Sequence, residues 1–225
     1  AQDALGRTLF AGHPYGHTNS RILHDGFPRL DGDNVRSWYF DGMAPQQMVV
    51  ALAGDFDIAD VTPQLDDAFS DLPARLMLVP DTPVTHVSES CVVSEVRPDA
   101  QQAQIIQGWY APPIGQVADH ARMLVMNTIL GGGGMSSRLF TELREKQGLA
   151  YSVWSQYLPM RQSGEFLIGI GTSPENIALA RSGFAEELAR MQDDYVALEE
   201  LEHAKGRLRG GFILAHETTD RKSVV

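Results

Sequence analysis

The stretch Ser136-Ser137-Arg138-Leu139-Phe140-Thr141-Glu142-Leu143-Arg144-Glu145-Lys146-Gln147-Gly148-Leu149-Ala150-Tyr151-Ser152-Val153 decides the fold. Two serines stand where a helix cap belongs, the helix runs to Gln147, and Gly148 sits at the position of a left-handed C-cap residue. Residues 150–157 then alternate as a strand. A helix, a glycine stop and an aromatic strand thus follow one another within eighteen residues. Read on its chemistry alone, Arg144 is a solvated cation at a helix end, favourable against the macrodipole, and Tyr151 is a residue at the core's edge.

Working outward, residues 165–172 alternate as a partner strand, reached through Pro159 and Gly164. Ser173-Pro174-Glu175 is a helix start, with a cap, a proline at the first position and an acid in the first turn. Ile177, Ala180, Phe184, Leu188 and Met191 keep the helical period behind it. A last helix over residues 196–216 is weakened by Gly206, Gly210 and Gly211. Towards the N-terminus, residues 117–130 are helical, while residues 91–97 and 103–110 read as strands, the second ended by Pro112-Pro113. Pro73, Pro80 and Pro83 make 71–90 a linker. Before it come a helix over 33–40, a short apolar strand over 48–53 ending at Gly54-Asp55, and a helix over 57–69 capped by Asp57. Residues 1–30 carry turn signals without periodicity. Paired strands followed by helices indicate an α+β fold, an antiparallel or mixed sheet layered against helices.

The 225 residues carry 18 Lys and Arg against 29 Asp and Glu, a formal charge of −11. Such an acidic surface repels phosphate backbones, and no basic run appears, which argues against nucleic-acid binding. At 43% hydrophobic residues the chain can build a sizeable core. No apolar run approaches the roughly 20 residues of a membrane span. Cys91 is the single cysteine, so neither a disulfide framework nor a multi-thiolate metal site is expected, and the compartment stays open. Opening on Ala1 without Met, the chain reads as a piece of something longer.

His13 and His17 are four apart, but Pro14 and Gly16 between them prevent the helix that would bring them to one metal. The sequence contains neither H-x-x-E-H nor H-E-x-x-H, so no metal site is expected in this chain. The run Gly131, Gly132, Gly133 and Gly134 lacks the Lys-Ser/Thr of a P-loop and the preceding strand of a dinucleotide loop. It is open to two other readings, a flexible helix–helix link or a backbone against which an extended peptide lies. No nucleophile elbow is present, and Cys91 has no neighbouring base in sequence.

The central stretch resembles the second half of the pitrilysin, insulin-degrading enzyme and mitochondrial processing peptidase family of zinc peptidases. Gly12-His13-Pro14-Tyr15-Gly16 looks like the family's HPYG turn. Met43-Ala44-Pro45-Gln46-Gln47-Met48, followed by Ala53-Gly54-Asp55, looks like its turn and strand. Ile129-Leu130-Gly131-Gly132, Ser137-Arg138-Leu139, Leu143-Arg144-Glu145 and Gly148-Leu149-Ala150-Tyr151-Ser152-Val153 follow in the family's order.

The resemblance implies a clamshell of two similar domains, one holding zinc through H-x-x-E-H and the other supplying an Arg/Tyr pair, matched here by Arg144 and Tyr151. In that arrangement Tyr151 hydrogen-bonds the scissile carbonyl as it becomes an oxyanion, and Arg144 holds substrate backbone oxygen. Gly131 to Gly134 match a longer glycine-rich loop that helps admit substrate. Zinc is expected in the complementary half, on a domain or subunit of the same family, in a dimeric assembly acting on unstructured peptides. The family pattern makes residues 1–70 the end of a preceding peptidase domain, 71–90 a linker and 91–225 the C-terminal peptidase-like domain, short of its final helix and strand. One expectation is that residues 1–70 fill that place by permutation or swapping. The alternative function is a non-catalytic, core-type subunit of the same fold.

Overall fold

The computed structural model describes residues 1–42, 49–71 and 82–217. The turn expected at 43–48 and half of the expected linker, including Pro73 and Pro80, lie outside them. In chain order the elements are α1 (Gln2–Leu9), α2 (Gly32–Gly42), α3 (Ile58–Phe69), β1 (Ala103–Ala111), α4 (Val117–Asn127), α5 (Phe140–Lys146), β2 (Ser152–Pro159), β3 (Gly164–Thr172), α6 (Ile177–Asp193) and α7 (Leu198–Ala215). They fall into two compact units, residues 1–20 with 83–210, and residues 21–82 with 211–225.

The first unit is built on an antiparallel sheet in the order β1-β3-β2. Ile105 opposes Ile170, and Ser155 opposes Ile168. Because side chains alternate across a strand, Phe166, Ile168 and Ile170 share one face. That face is sealed by Leu130, Leu139, Leu143, Ala180 and Phe184, all inaccessible to solvent. Burial of one such leucine stabilises by about 1.5–3 kcal/mol. Gly183 is what lets α6 come close to α5, since a Cβ there would stand 3.1 Å from Leu143 Cγ.

The opposite face carries an element that the sequence reading missed. Leu5 of α1 lies over Gly108 and against Leu167, so closely that a Cβ on Gly108 would be 2.6 Å from Leu5 Cδ2. Behind it, Tyr110 Oη donates to the Leu9 carbonyl, and Phe10 meets the Tyr110 ring edge-on at 5.8 Å. A two-turn helix has little stability of its own, so packing rather than periodicity makes α1.

Within the second unit, Asp31 and Asn34 exchange side-chain and backbone hydrogen bonds ahead of α2, and Asp57 caps α3 through Ala59 N at 2.8 Å. Two expected strands are not formed. Residues 49–53 and 91–97 are exposed and belong to no ladder among the described residues. Both are apolar enough for strands, but a strand exists only where a neighbour pairs its N–H and C=O groups.

Candidate peptide-binding site around the Gly148 turn

The helix that carries Arg144 starts on Arg138 and Leu139 and then widens, over Phe140–Lys146, into π geometry. π turns are rare and concentrate at functional sites. Ser137 stands before this helix, and its hydroxyl donates back to the Gly134 carbonyl at 2.6 Å. The far end closes as the glycine foretells. Gly148 takes φ +65°, Gln147 N donates to Glu142 O at 3.2 Å, and Leu149 N donates to Leu143 O at 2.9 Å. This is a Schellman-like stop, which only a residue free of Cβ adopts cheaply. Thr172 Oγ1 then fastens the Leu149 carbonyl to β3 at 2.6 Å.

On either side of this turn stand the two candidate residues. Arg144 is exposed, its guanidinium 4.7 Å above the Phe140 ring, and no carboxylate pairs with it among the described residues. The nearby charges are spoken for, Lys146 by Glu142 at 2.8 Å and Arg190 by Glu187 at 2.7 Å. Tyr151 donates its backbone N–H to Gly171 O at 3.0 Å, while its side chain is 78% exposed. No hydrogen bond joins Arg144 to Tyr151 directly. Tyr151 lines a shallow depression of about 360 Å³ with Gln101, Gln102, Ser173 and Asn176, a wall without charge.

The glycine run divides. Gly131 and Gly133 are buried, Gly132 and Gly134 exposed. A Cβ on Gly131 would meet Ser155 N at 2.3 Å, so this residue lets the π turn that ends α4, Thr128–Gly132, rest on β2. Gly134 turns the chain with φ +64°. His13, from the motif at the other end of the chain, is also buried. Its Nδ1 accepts from Tyr15 N at 3.1 Å and its Nε2 faces Gln162 Oε1 at 3.0 Å, so it ties a turn. Among the described residues no three His, Cys, Asp or Glu converge as metal ligands. No helix among them is long and apolar enough to cross a membrane.

The sequence reading missed one ion pair near the site. Arg138 donates from Nε and Nη2 to the two oxygens of Glu200, both at 2.7 Å, with the side chains 12% and 32% exposed. Hydrogen bonding from Arg138 holds the Glu200 carboxyl below the usual range, and the same contact raises the Arg138 value. The partners are 62 positions apart, so no spacing signal could reveal them.

A family model described as the peptidase M16 inactive domain matches residues 29–208. The chain belongs to this family. An uncharacterized zinc protease of Mycobacterium leprae is 30% identical over 97% of the chain and 50% of its own length. One from Bacillus subtilis is 28% identical over 98% of the chain and 52% of its length. The crystal structure of a peptidase M16 inactive domain from Pseudomonas fluorescens superposes with a TM-score of 0.77 at 27% identity, covering 93% of this chain and 50% of that one. The chain thus spans about half the length of the curated relatives it matches. It is a C-terminal inactive domain of the M16 zinc protease family, with the α+β fold that the sequence implies.

Proposed function

We propose that this M16 domain is the substrate-binding portion of a zinc metallopeptidase, supplying Arg144 and Tyr151 to an unstructured peptide. The zinc belongs to the complementary half, a domain or subunit of the same family, and the two assemble as a dimer-like clamshell. The domain division carried by this reading places the end of the preceding peptidase domain in residues 1–70 and the C-terminal domain beyond 91. The observation that carries the proposal is the exposure of Tyr151. A tyrosine at 78% exposure, with no hydrogen-bond partner for its hydroxyl among the described residues, stands two positions after the buried Leu149.

A preorganised donor aimed at developing negative charge contributes about 3–4 kcal/mol to a transition state. Tyr151 Oη fills that role toward the oxyanion of the scissile carbonyl. The Arg144 guanidinium, a planar fork of N–H donors, binds a neighbouring carbonyl oxygen of the peptide. Of the glycine run, exposed Gly132 and Gly134 are the ones that can lie against a peptide backbone, while Gly131 and Gly133 support the fold beneath.

The test is Tyr151→Phe in the full-length enzyme, assayed on a fluorogenic unstructured peptide. We expect kcat to fall on the order of 100-fold or more with the melting temperature unchanged. Undiminished turnover would refute the reading and favour the structural, core-type role of the fold.

A further inference from the structure

Arg144 is useful only if its helix presents it in one orientation, and what fixes that helix is visible at its first turn. We infer that Arg138 is a positioning residue, its ion pair with Glu200 of α7 setting the pitch and rotation of α5 and so aiming Arg144 at the substrate. The inference rests on the role proposed for Arg144.

Three observations support it. The underside of α5 is held by Leu139 and Leu143, both fully buried. Apolar contact of this kind is non-directional and tolerates small rotations. At its C-terminal end the helix is clamped by the Gly148 turn and the Leu149–Thr172 hydrogen bond, next to Tyr151. At its N-terminal end the directional contact is the two-pronged Arg138–Glu200 pair, at 2.7 Å on each prong. A planar guanidinium fork fixes angle as well as distance, which a lysine ammonium cannot do. Arg144 lies between these two fastenings.

The neighbourhood makes the pair hard to replace. Arg138 Nη1 and Glu187 Oε2 are buried with no hydrogen-bond partner among the described residues. Glu187 and Asp194 also favour the Arg138 charge, but Glu200 is the carboxylate that hydrogen-bonds the guanidinium and so fixes its direction. Glu142 on α5 also approaches Arg190 of α6 at 3.8 Å, but that contact is single-pronged and more exposed.

The experiment uses the full-length enzyme and a fluorogenic peptide, with KM and kcat measured for Arg138→Lys, Arg144→Ala and the double variant. Arg138→Lys keeps the charge and removes the fork, so the protein stays folded. Arg144→Ala is expected to raise KM about tenfold, and Arg138→Lys severalfold with kcat per folded enzyme little changed. In the double variant the Arg138→Lys effect should vanish, because there is no longer an Arg144 to aim. If Arg144→Ala raises KM while Arg138→Lys lowers only the amount of folded enzyme, the positioning role is wrong and the pair is structural. If Arg144→Ala leaves KM unchanged, the proposed role of Arg144 itself fails.

Discussion

Replacing Gly131 by Ala separates the two uses a glycine run can have. The added Cβ would stand 2.3 Å from the backbone N of Ser155 and 2.7 Å from its Oγ. No side-chain rotation relieves a clash with backbone, so the end of α4 must lift from β2. Overpacking of this kind costs about 1–3 kcal/mol. The shift also strains the Ser155 hydroxyl, which donates to Asn127 Oδ1 at 2.8 Å, a contact whose loss costs about 1 kcal/mol. Against this, alanine gains up to about 1 kcal/mol of helix propensity over glycine. The net expectation is a loss of about 2 kcal/mol, or about 1 M in the urea midpoint at a slope near 2 kcal/mol/M. Urea titration followed by tryptophan fluorescence reads it directly, because Trp154 adjoins Ser155 on β2. A midpoint unchanged or raised would show that α4 does not rest on β2 through Gly131, and would return the whole run to a loop role.

Two further substitutions probe the core and its charge. Leu143→Ala removes a fully buried side chain seated under Gly183. It should cost about 2–5 kcal/mol by equilibrium unfolding, since the cavity closes poorly; a loss below 1 kcal/mol would mean that α5 is loosely packed. Glu165, at the start of β3, has its carboxyl raised by burial. A raised acid favours the fold below its unfolded value and loses that contribution as pH climbs through the folded one. Glu165→Gln should therefore raise the urea midpoint at pH 7 and change it little at pH 4, whereas a lower midpoint at pH 7 would reveal a partner that needs the charge.

The helix, the glycine stop and the following strand between Ser137 and Tyr157 were legible from the sequence because each depends on local terms. Periodicity fixes the apolar face, Gly148 meets a positive φ that other residues avoid, and alternation marks β2 and β3. Arg144 and Tyr151 became candidate residues through the resemblance of this stretch to the zinc peptidase family, not through periodicity. Helix α1 escaped notice because two turns show little period, and its stability comes from Leu5 wedged over Gly108.

What the sequence by itself determined is therefore the local elements from residue 103 onward, their order and the family to which they belong. Tertiary structure decided which of them find partners. Residues 91–97 have strand composition, yet they pair with nothing among the described residues, whereas 103–111 gained β3 as a neighbour. It likewise decided that Gly131 is a contact and Gly134 a turn, and that Arg138 reaches Glu200 across 62 positions. The physical reason is one of range. Dihedral preference and periodicity act over a few residues, but a ladder, a close helix–strand approach and a buried ion pair each require a second surface that the linear pattern does not specify.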